Sequence, residues 1–335
     1  MEIGLDQDQR AFAEVCAKLA AELATRWSPG RGPDDTSPAE PDEVAWSRIV
    51  AAGWLAIGLD EASVVDLTVL VEQLGYHTVP APVIGTLLAA ERLRLGGAGQ
   101  DLLDAIGGGE VRVAPLLRRD LTDYAGTAAD AVAWDSAGAE VTHSPDGTGH
   151  HLGDPLPGAD LTRRTRAVGP AAGHLALTDP GTEDRLRLTA LGLTLATADL
   201  LGVMRAALDD AVEHARNRTQ FGAPIGSFQA VQQLAADCLV SVEASRSALF
   251  HSAWAADALP ADEAVAAART AKAFVAPAAV EVCETAIQLL GGIGMTWESR
   301  AHVRLRRAHA SRALFGDEHH QLRHLTGRLL GENGR

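Results

Sequence analysis

Residues 216–233 read R-N-R-T-Q-F-G-A-P-I-G-S-F-Q-A-V-Q-Q, and this stretch from Arg216 to Gln233 joins two long helical patterns through a short loop bearing Gly and Pro. Upstream, Leu201, Met204, Leu208 and Val212 recur at helical spacing; downstream, Val231, Ala235, Cys238, Val242 and Leu249 repeat the stripe. Gly222, Pro224 and Gly226 prevent one helix from running through, so Arg216 and Arg218 belong to the last turn of the first helix or just beyond it. A planar, permanently charged guanidinium beside a Gly-broken loop suits a phosphate or pyrophosphate oxygen. The competing reading is that these arginines cap the last helix carbonyls.

Outward from this loop, the 335 residues are 47% apolar, enough for one large domain or several smaller ones. A formal charge of −15, from 44 acidic and 29 basic residues, argues against nucleic acid or an anionic membrane as partner. Cys16, Cys238 and Cys283 sit on apolar stripes without paired spacing, which reads as small buried hydrophobes in a reducing compartment, with neither a metal nor a disulfide framework. No apolar run reaches the roughly 18 residues of a membrane span, and the start M-E-I-G-L-D lacks a basic leader. A cytoplasmic protein is expected.

Asp6 and Gln9 stand at capping-box spacing before Phe12, Val15, Cys16, Leu19 and Leu23, predicting a helix that ends near Trp27. Residues 28–41 form a linker rich in Pro, Gly and Asp. Helical patterns follow over 44–59, 66–77 and 81–95, with Gly53, Gly75 and Gly96 marking helix ends. This defines an N-terminal helical domain, 1–106. From 107 to 187 short alternating runs, such as 131–134 and 174–177, lie between turn residues, predicting a small β-rich domain with a thin core. Helical patterning returns over 188–335, including a long helix at 261–290 that Pro277 should interrupt.

That helix ends in Q-L-L-G-G-I-G, residues 288–294. A helix precedes these glycines where a dinucleotide fingerprint needs a strand, so the bare reading is a helix C-cap with Gly291 or Gly292 left-handed; ligand contact is the alternative. Arg304, Arg306 and Arg307 read most simply as a solvated or interface face. His319, His320 and His324 read as surface or interface histidines, because no metal-ligand spacing accompanies them.

R-x-x-F-G…F-Q followed some sixty residues later by Q-x-x-G-G-x-G resembles the acyl-CoA dehydrogenase family of flavoproteins. The opening D-Q-D-Q-R-A-F, the A-G-W-L-A-I-G ending at Gly58 and the helical–β–helical order extend the likeness over nearly the whole chain. The resemblance implies a mainly α fold with a small β domain: an N-terminal helical domain, a reduced middle β-domain and a C-terminal four-helix bundle. It implies FAD as cofactor, with Arg218 and Phe221 at the pyrophosphate, Gln229 alongside, and Gln288, Gly291 and Gly292 at the adenosine end, all reaching into a neighbouring subunit's flavin site. An acyl-CoA substrate and an electron-transfer flavoprotein as acceptor come with it.

The departures from the family pattern are equally specific. The T-E-P…G-S-D and W-x-x-(T/S)-G-x-K stretches that hold the isoalloxazine in the same subunit are missing between residues 107 and 187. The usual catalytic glutamate position falls on Phe315 or Gly316, and a second family position falls on about Gly192. Proton removal from the acyl Cα needs a base, which contributes about a hundredfold to ten-thousandfold. Asp199, two turns beyond Gly192, and Asp317 or Glu318 are the substitutes available nearby.

Keeping the donated half of the flavin site while losing the self-contained half resembles the short subunit of actinobacterial heterotetrameric (α2β2) acyl-CoA dehydrogenases of steroid side-chain degradation. This implies a longer catalytic partner subunit, a bulky acyl group and two FAD per tetramer. A homo-oligomeric dehydrogenase with a displaced base and a non-catalytic scaffold of the same fold remain as alternatives.

Overall fold

The computed structural model describes residues 4–28, 38–59 and 62–331, so most of the expected 28–41 linker lies outside the described residues. Helix α1 (Gln7–Ala24) opens on the anticipated capping box: the Asp6 carboxylate accepts from the Gln9 N–H, and the Gln9 side chain accepts from the Asp6 N–H. It ends three residues before Trp27. The pattern over 44–59 divides into α2 (Glu43–Ala51) and a 3₁₀ turn at Ala56–Gly58, because Gly53 takes a left-handed φ of 72° after α2. Helices α3 (Val64–Tyr76), α4 (Val83–Leu95) and α5 (Gln100–Gly107) complete the first layer.

Five short strands follow: β1 (Leu116–Arg118), β2 (Ala131–Ala133), β3 (Val141–His143), β4 (Thr148–Pro155) and β5 (Arg166–His174). They form one antiparallel sheet in the order β1-β2-β5-β4-β3, with bulges breaking the β4–β5 register. Its core is as thin as its composition predicts, with Ala114, Ala133, Ala139 and Leu152 as one small cluster. The expected strand at 174–177 is not formed: Leu175 donates to Gly147 O and Leu177 turns back onto Leu175 O.

The remaining chain is helical, with α6 (Thr182–Asn217) as its axis, packed by α3, by α7 (Gln229–Ala258), by α8 (Ala261–Leu290) and by α9 (Ala301–Ala313); α10 (Glu318–Leu329) lies against α8. Pro277 does not end α8, which runs from Ala261 to Leu290 with Val275, Ala276, Ala279 and Val280 buried around the proline. By length and hydropathy α6 and α8 could each cross a membrane, contrary to the reading that no run was long enough. The apolar window of α6 is 94% buried inside this fold, as befits a core helix; that of α8 is 44% buried.

Gly75, one residue before α3 ends at Tyr76, marks that helix end as expected and is also a crossing point. It lies within α3, where a Cβ would stand 2.4 Å from the Asp199 carbonyl oxygen; on α6, a Cβ at Gly202 would stand 2.1 Å from that of Glu72. Two glycines thus let the α3 and α6 backbones touch, and no larger residue fits at either place.

Candidate functional site

Helix α6 stops at Asn217 with Arg218 as its C-cap, and the loop beyond it folds into a miniature hairpin, β6 (Thr219–Gln220) against β7 (Ala223–Pro224). Its two tip residues, Phe221 and Gly222, have φ of 53° and 80°, the double left-handed turn that suits a two-residue hairpin. Phenylalanine rarely adopts that conformation. The strain holds the Phe221 ring away from the fold, 95% exposed, with only Phe228 edge-on at 6.3 Å. Arg218 is exposed, and its guanidinium has no protein partner among the described residues. Gln229, also exposed, begins α7.

The second motif ends α8. Gln288 is exposed in the last turn, and Gly291 is the C-cap with φ 62°, so the C-cap reading is borne out. Nothing lies within 4 Å of where a Cβ would be at Gly291 or Gly292, leaving bare backbone open to an approaching group. Because α7 and α8 are joined by the short turn at residues 259–260 and pack along each other, the start of α7 and the end of α8 lie at the same end of the bundle. Together they offer an unpaired guanidinium, an exposed ring, amides and open glycine backbone. That donor set fits an anionic, aromatic-bearing ligand such as a dinucleotide.

The base positions are built in the opposite way. Phe315 is 1% exposed and left-handed at φ 57°. Its N–H donates to Leu121 O at 2.7 Å, its carbonyl accepts from Gln321 Nε2 at 2.5 Å, and Tyr124 tilts against its ring at 5.4 Å. Gly192 lies in the third turn of α6 and not at its start; a Cβ there would stand 2.4 Å from Phe315 Cζ. Two of the positions expected for a base, Phe315 and Gly192, therefore meet, ring against bare backbone. Gly316 follows at φ 86°, packed on the His320 side chain.

Each nearby carboxylate is occupied. Asp199 is 1% exposed and accepts from Arg307 Nε and Nη2, the latter at 2.7 Å, and from Ser311 Oγ at 2.6 Å, with Arg163 Nη2 at 2.8 Å. Burial would raise its pKa, but Arg163, Arg307 and these hydrogen bonds prevail and hold it well below the usual carboxylate range. Arg307 also donates to Val79 O and Thr162 Oγ1, so this one pair ties α6, α9, the end of α3 and the loop before β5 together. Asp317 caps α10 by accepting from the His320 N–H, and Glu318 accepts from Arg312.

Some residues escaped the sequence reading. Arg304 and Arg307 are buried, not a solvated or interface face, because acidic partners on α6, Asp210 and Asp199, meet them. Lys272 is wholly buried on α8 and donates to the carbonyls of Ser311, Arg312 and Leu314 at 2.7–3.0 Å, gathering the end of α9 next to Phe315. Burial pushes its amine down to about 7, against the opposing charges of Asp317 and Glu318. A lone Lys in an Ala-rich helical stripe was the available signal. His320 and His324 pair Nε2 to Nε2 at 3.1 Å, and no group of three or more His, Cys, Asp or Glu suited to a metal occurs among the described residues.

Helical layers flanking a five-stranded antiparallel sheet, with two exposed motifs at one end of the helical bundle, make up this architecture. The chain belongs to the acyl-CoA dehydrogenase family, whose cofactor is FAD. Residues 192–330 match the family model for the acyl-CoA dehydrogenase C-terminal domain. The chain is 32% identical over 273 residues to acyl-CoA dehydrogenase IpdE2 of Mycolicibacterium smegmatis, covering 79% of each protein. Among solved structures it is similar to the Mycobacterium tuberculosis ChsE4–ChsE5 complex, with TM-score 0.79 and 22% identity over the whole of both chains. It is also similar to a variant of the Tcur3481–Tcur3483 steroid ACAD, with TM-score 0.77 and 24% identity over 97% of this chain and 99% of that one.

Proposed function

We propose that this chain is the supporting subunit of a heteromeric acyl-CoA dehydrogenase. It lends Arg218, Phe221, Gln229, Gln288, Gly291 and Gly292 to an FAD site completed by a longer catalytic partner in an α2β2 assembly. The observation that carries the reading is the contrast just described: the expected cofactor residues stand exposed, while the positions expected for a base, Phe315 or Gly316 and Gly192, carry no carboxylate.

FAD, when bound, supplies the acceptor for the Cβ hydride. The residues of this chain bind and orient: Arg218 neutralises pyrophosphate charge, Phe221 offers an aromatic face, and the backbone at Gly291 and Gly292 admits the adenosine end closely. Proton abstraction falls to the partner, since Asp199, Asp317 and Glu318 are each committed within this fold. Leu239, Val240, Trp254 and Phe274 leave an exposed apolar band on α7 and α8, which suits a subunit interface. The steroid ACAD and ChsE4–ChsE5 likenesses support two unlike dehydrogenase subunits and a bulky steroid-type acyl group. Electrons would leave through an electron-transfer flavoprotein in the cytoplasm.

Flavin absorbance per chain tests the reading, measured on the chain alone and after co-purification with a longer dehydrogenase-like subunit from the same genome. About one FAD per unlike pair, and little on the chain alone, is expected. One FAD per chain in isolation would refute it.

A further inference from the structure

We propose that Arg92 and Tyr124, on the walls of a cavity between α4, the β1–β2 loop and the first turns of α6, form a binding site for a short free carboxylic acid. The inference goes beyond the shared flavin site and does not depend on it. Leu188, on the cavity wall, and Arg218 lie near opposite ends of α6, roughly 45 Å apart along its axis.

Arg92 lies in the last turn of α4, with its side chain 15% exposed. Among the described residues neither of its terminal nitrogens has a hydrogen-bond partner, and the Asp179 carboxylate approaches Nη2 only to 3.7 Å. Asp179 is engaged by Arg185 instead, whose Nη1 donates to it at 2.9 Å. The Tyr124 hydroxyl is likewise buried and without a partner among the described residues. An inward guanidinium without hydrogen bonds is costly. The fold avoids that cost at Arg307, whose Nε, Nη1 and Nη2 all donate. Both side chains are nonetheless held in place. A Cβ at Gly96 would stand 3.3 Å from Arg92 Nη1, so the glycine makes room for the guanidinium. The Ala125 N–H donates to Leu116 O at 3.0 Å, and the Tyr124 ring tilts against Phe315.

Two unpartnered nitrogens on one guanidinium match the two oxygens of a carboxylate, and the phenol adds a third donor. Charge selects among anions. Asp123 and Asp179 line the cavity opposite Arg92 and Arg185, so a singly charged carboxylate meets less repulsion than a phosphate dianion. Ala125, Pro145 and Leu188 give an alkyl body an apolar wall. The cavity measures about 240 Å³, which at roughly 30 Å³ per water-sized group holds about eight heavy atoms, the size of hexanoate. A thioester of the same acid would not serve, because the charge that the guanidinium pairs with is gone.

Calorimetric titration of hexanoate, hexanamide and inorganic phosphate into the full chain at neutral pH tests the site. Hexanoate should bind saturably, one per chain, and more tightly than either of the others. No saturable binding of hexanoate, equal binding of hexanamide, or tighter binding of phosphate overturns the proposal. Arg92→Met should weaken hexanoate by about tenfold to a hundredfold, and Tyr124→Phe by about threefold to tenfold. Unchanged affinity in both variants places the acid elsewhere and overturns the assignment. Thermal unfolding gives a second readout. Hexanoate should raise the unfolding temperature of the wild type and not that of Arg92→Met. Without acid, Arg92→Met should unfold no lower than the wild type, because it removes an unsatisfied charge and keeps the apolar stem. A clearly lower temperature, or failure to fold, would make Arg92 a structural partner of Asp179 and overturn the proposal. Flavin content plays no part in these readings, so loss of the shared-site reading would leave them standing.

Discussion

The hairpin at Arg218–Gln229 and the turn at Leu314–Gly316 both hold a phenylalanine with positive φ, and the two are used in opposite ways. Phe221 is strained outward, 95% exposed beside an unpaired guanidinium; Phe315 is strained inward, 1% exposed and pinned at both its N–H and its carbonyl. Strain at the first holds a side chain out in solvent. Strain at the second packs a ring against the bare backbone of Gly192. The same backbone state therefore says nothing of function until its surroundings are known.

The sharpest way to break this contrast is through Asp199. If it is structural, Asp199→Asn strands the buried Arg163 and Arg307 and should cost about 3–5 kcal/mol in urea unfolding of the chain. If it is the base, turnover of the complex falls while stability stays near wild type. The pH dependence has a definite sign. Folding lowers the Asp199 pKa, so its contribution is present above its unfolded value, about 3.9, and is lost as pH falls below that toward the folded value. Asp199→Asn should remove that acid-side loss from the stability profile.

Lys272→Met sharpens the inward half. It deprives three buried carbonyls of their donor and should cost about 2–3 kcal/mol, read as a lowered urea midpoint with unchanged slope. Arg218→Ala tests the outward half and should leave the fold of the chain within about 0.5 kcal/mol of wild type. In the complex it should weaken FAD retention by about 1.5–3 kcal/mol, as one charge-assisted contact is lost. Unchanged flavin content there would remove Arg218 from the site.

Much of the architecture was legible in local pattern. The helical–β–helical order, the capping box at Asp6, the thin alanine core of the sheet and the C-cap at Gly291 all follow from spacing and residue type within a few turns of chain. What failed did so where distant elements decide. Gly75 stands at the end of α3, as expected, but its second role, the α3–α6 crossing with Gly202, is set by a helix far off in sequence. Arg304 and Arg307 looked like a solvated face because their partners, Asp210 and Asp199, lie a hundred residues earlier in the chain. Pro277 reads locally as an interruption, but α8 runs on through it, packed along α6.

By itself, then, the sequence determined the family and the fold class, since these depend on periodicity and on short runs whose chemistry is local. Only the tertiary structure decided that Phe315 and Gly192 meet, that Lys272 and Gln321 hold them so, and that the nearest acids are already engaged. Contacts between residues far apart in sequence leave no periodic trace, and the burial that makes a charge structural depends on every element packed around it.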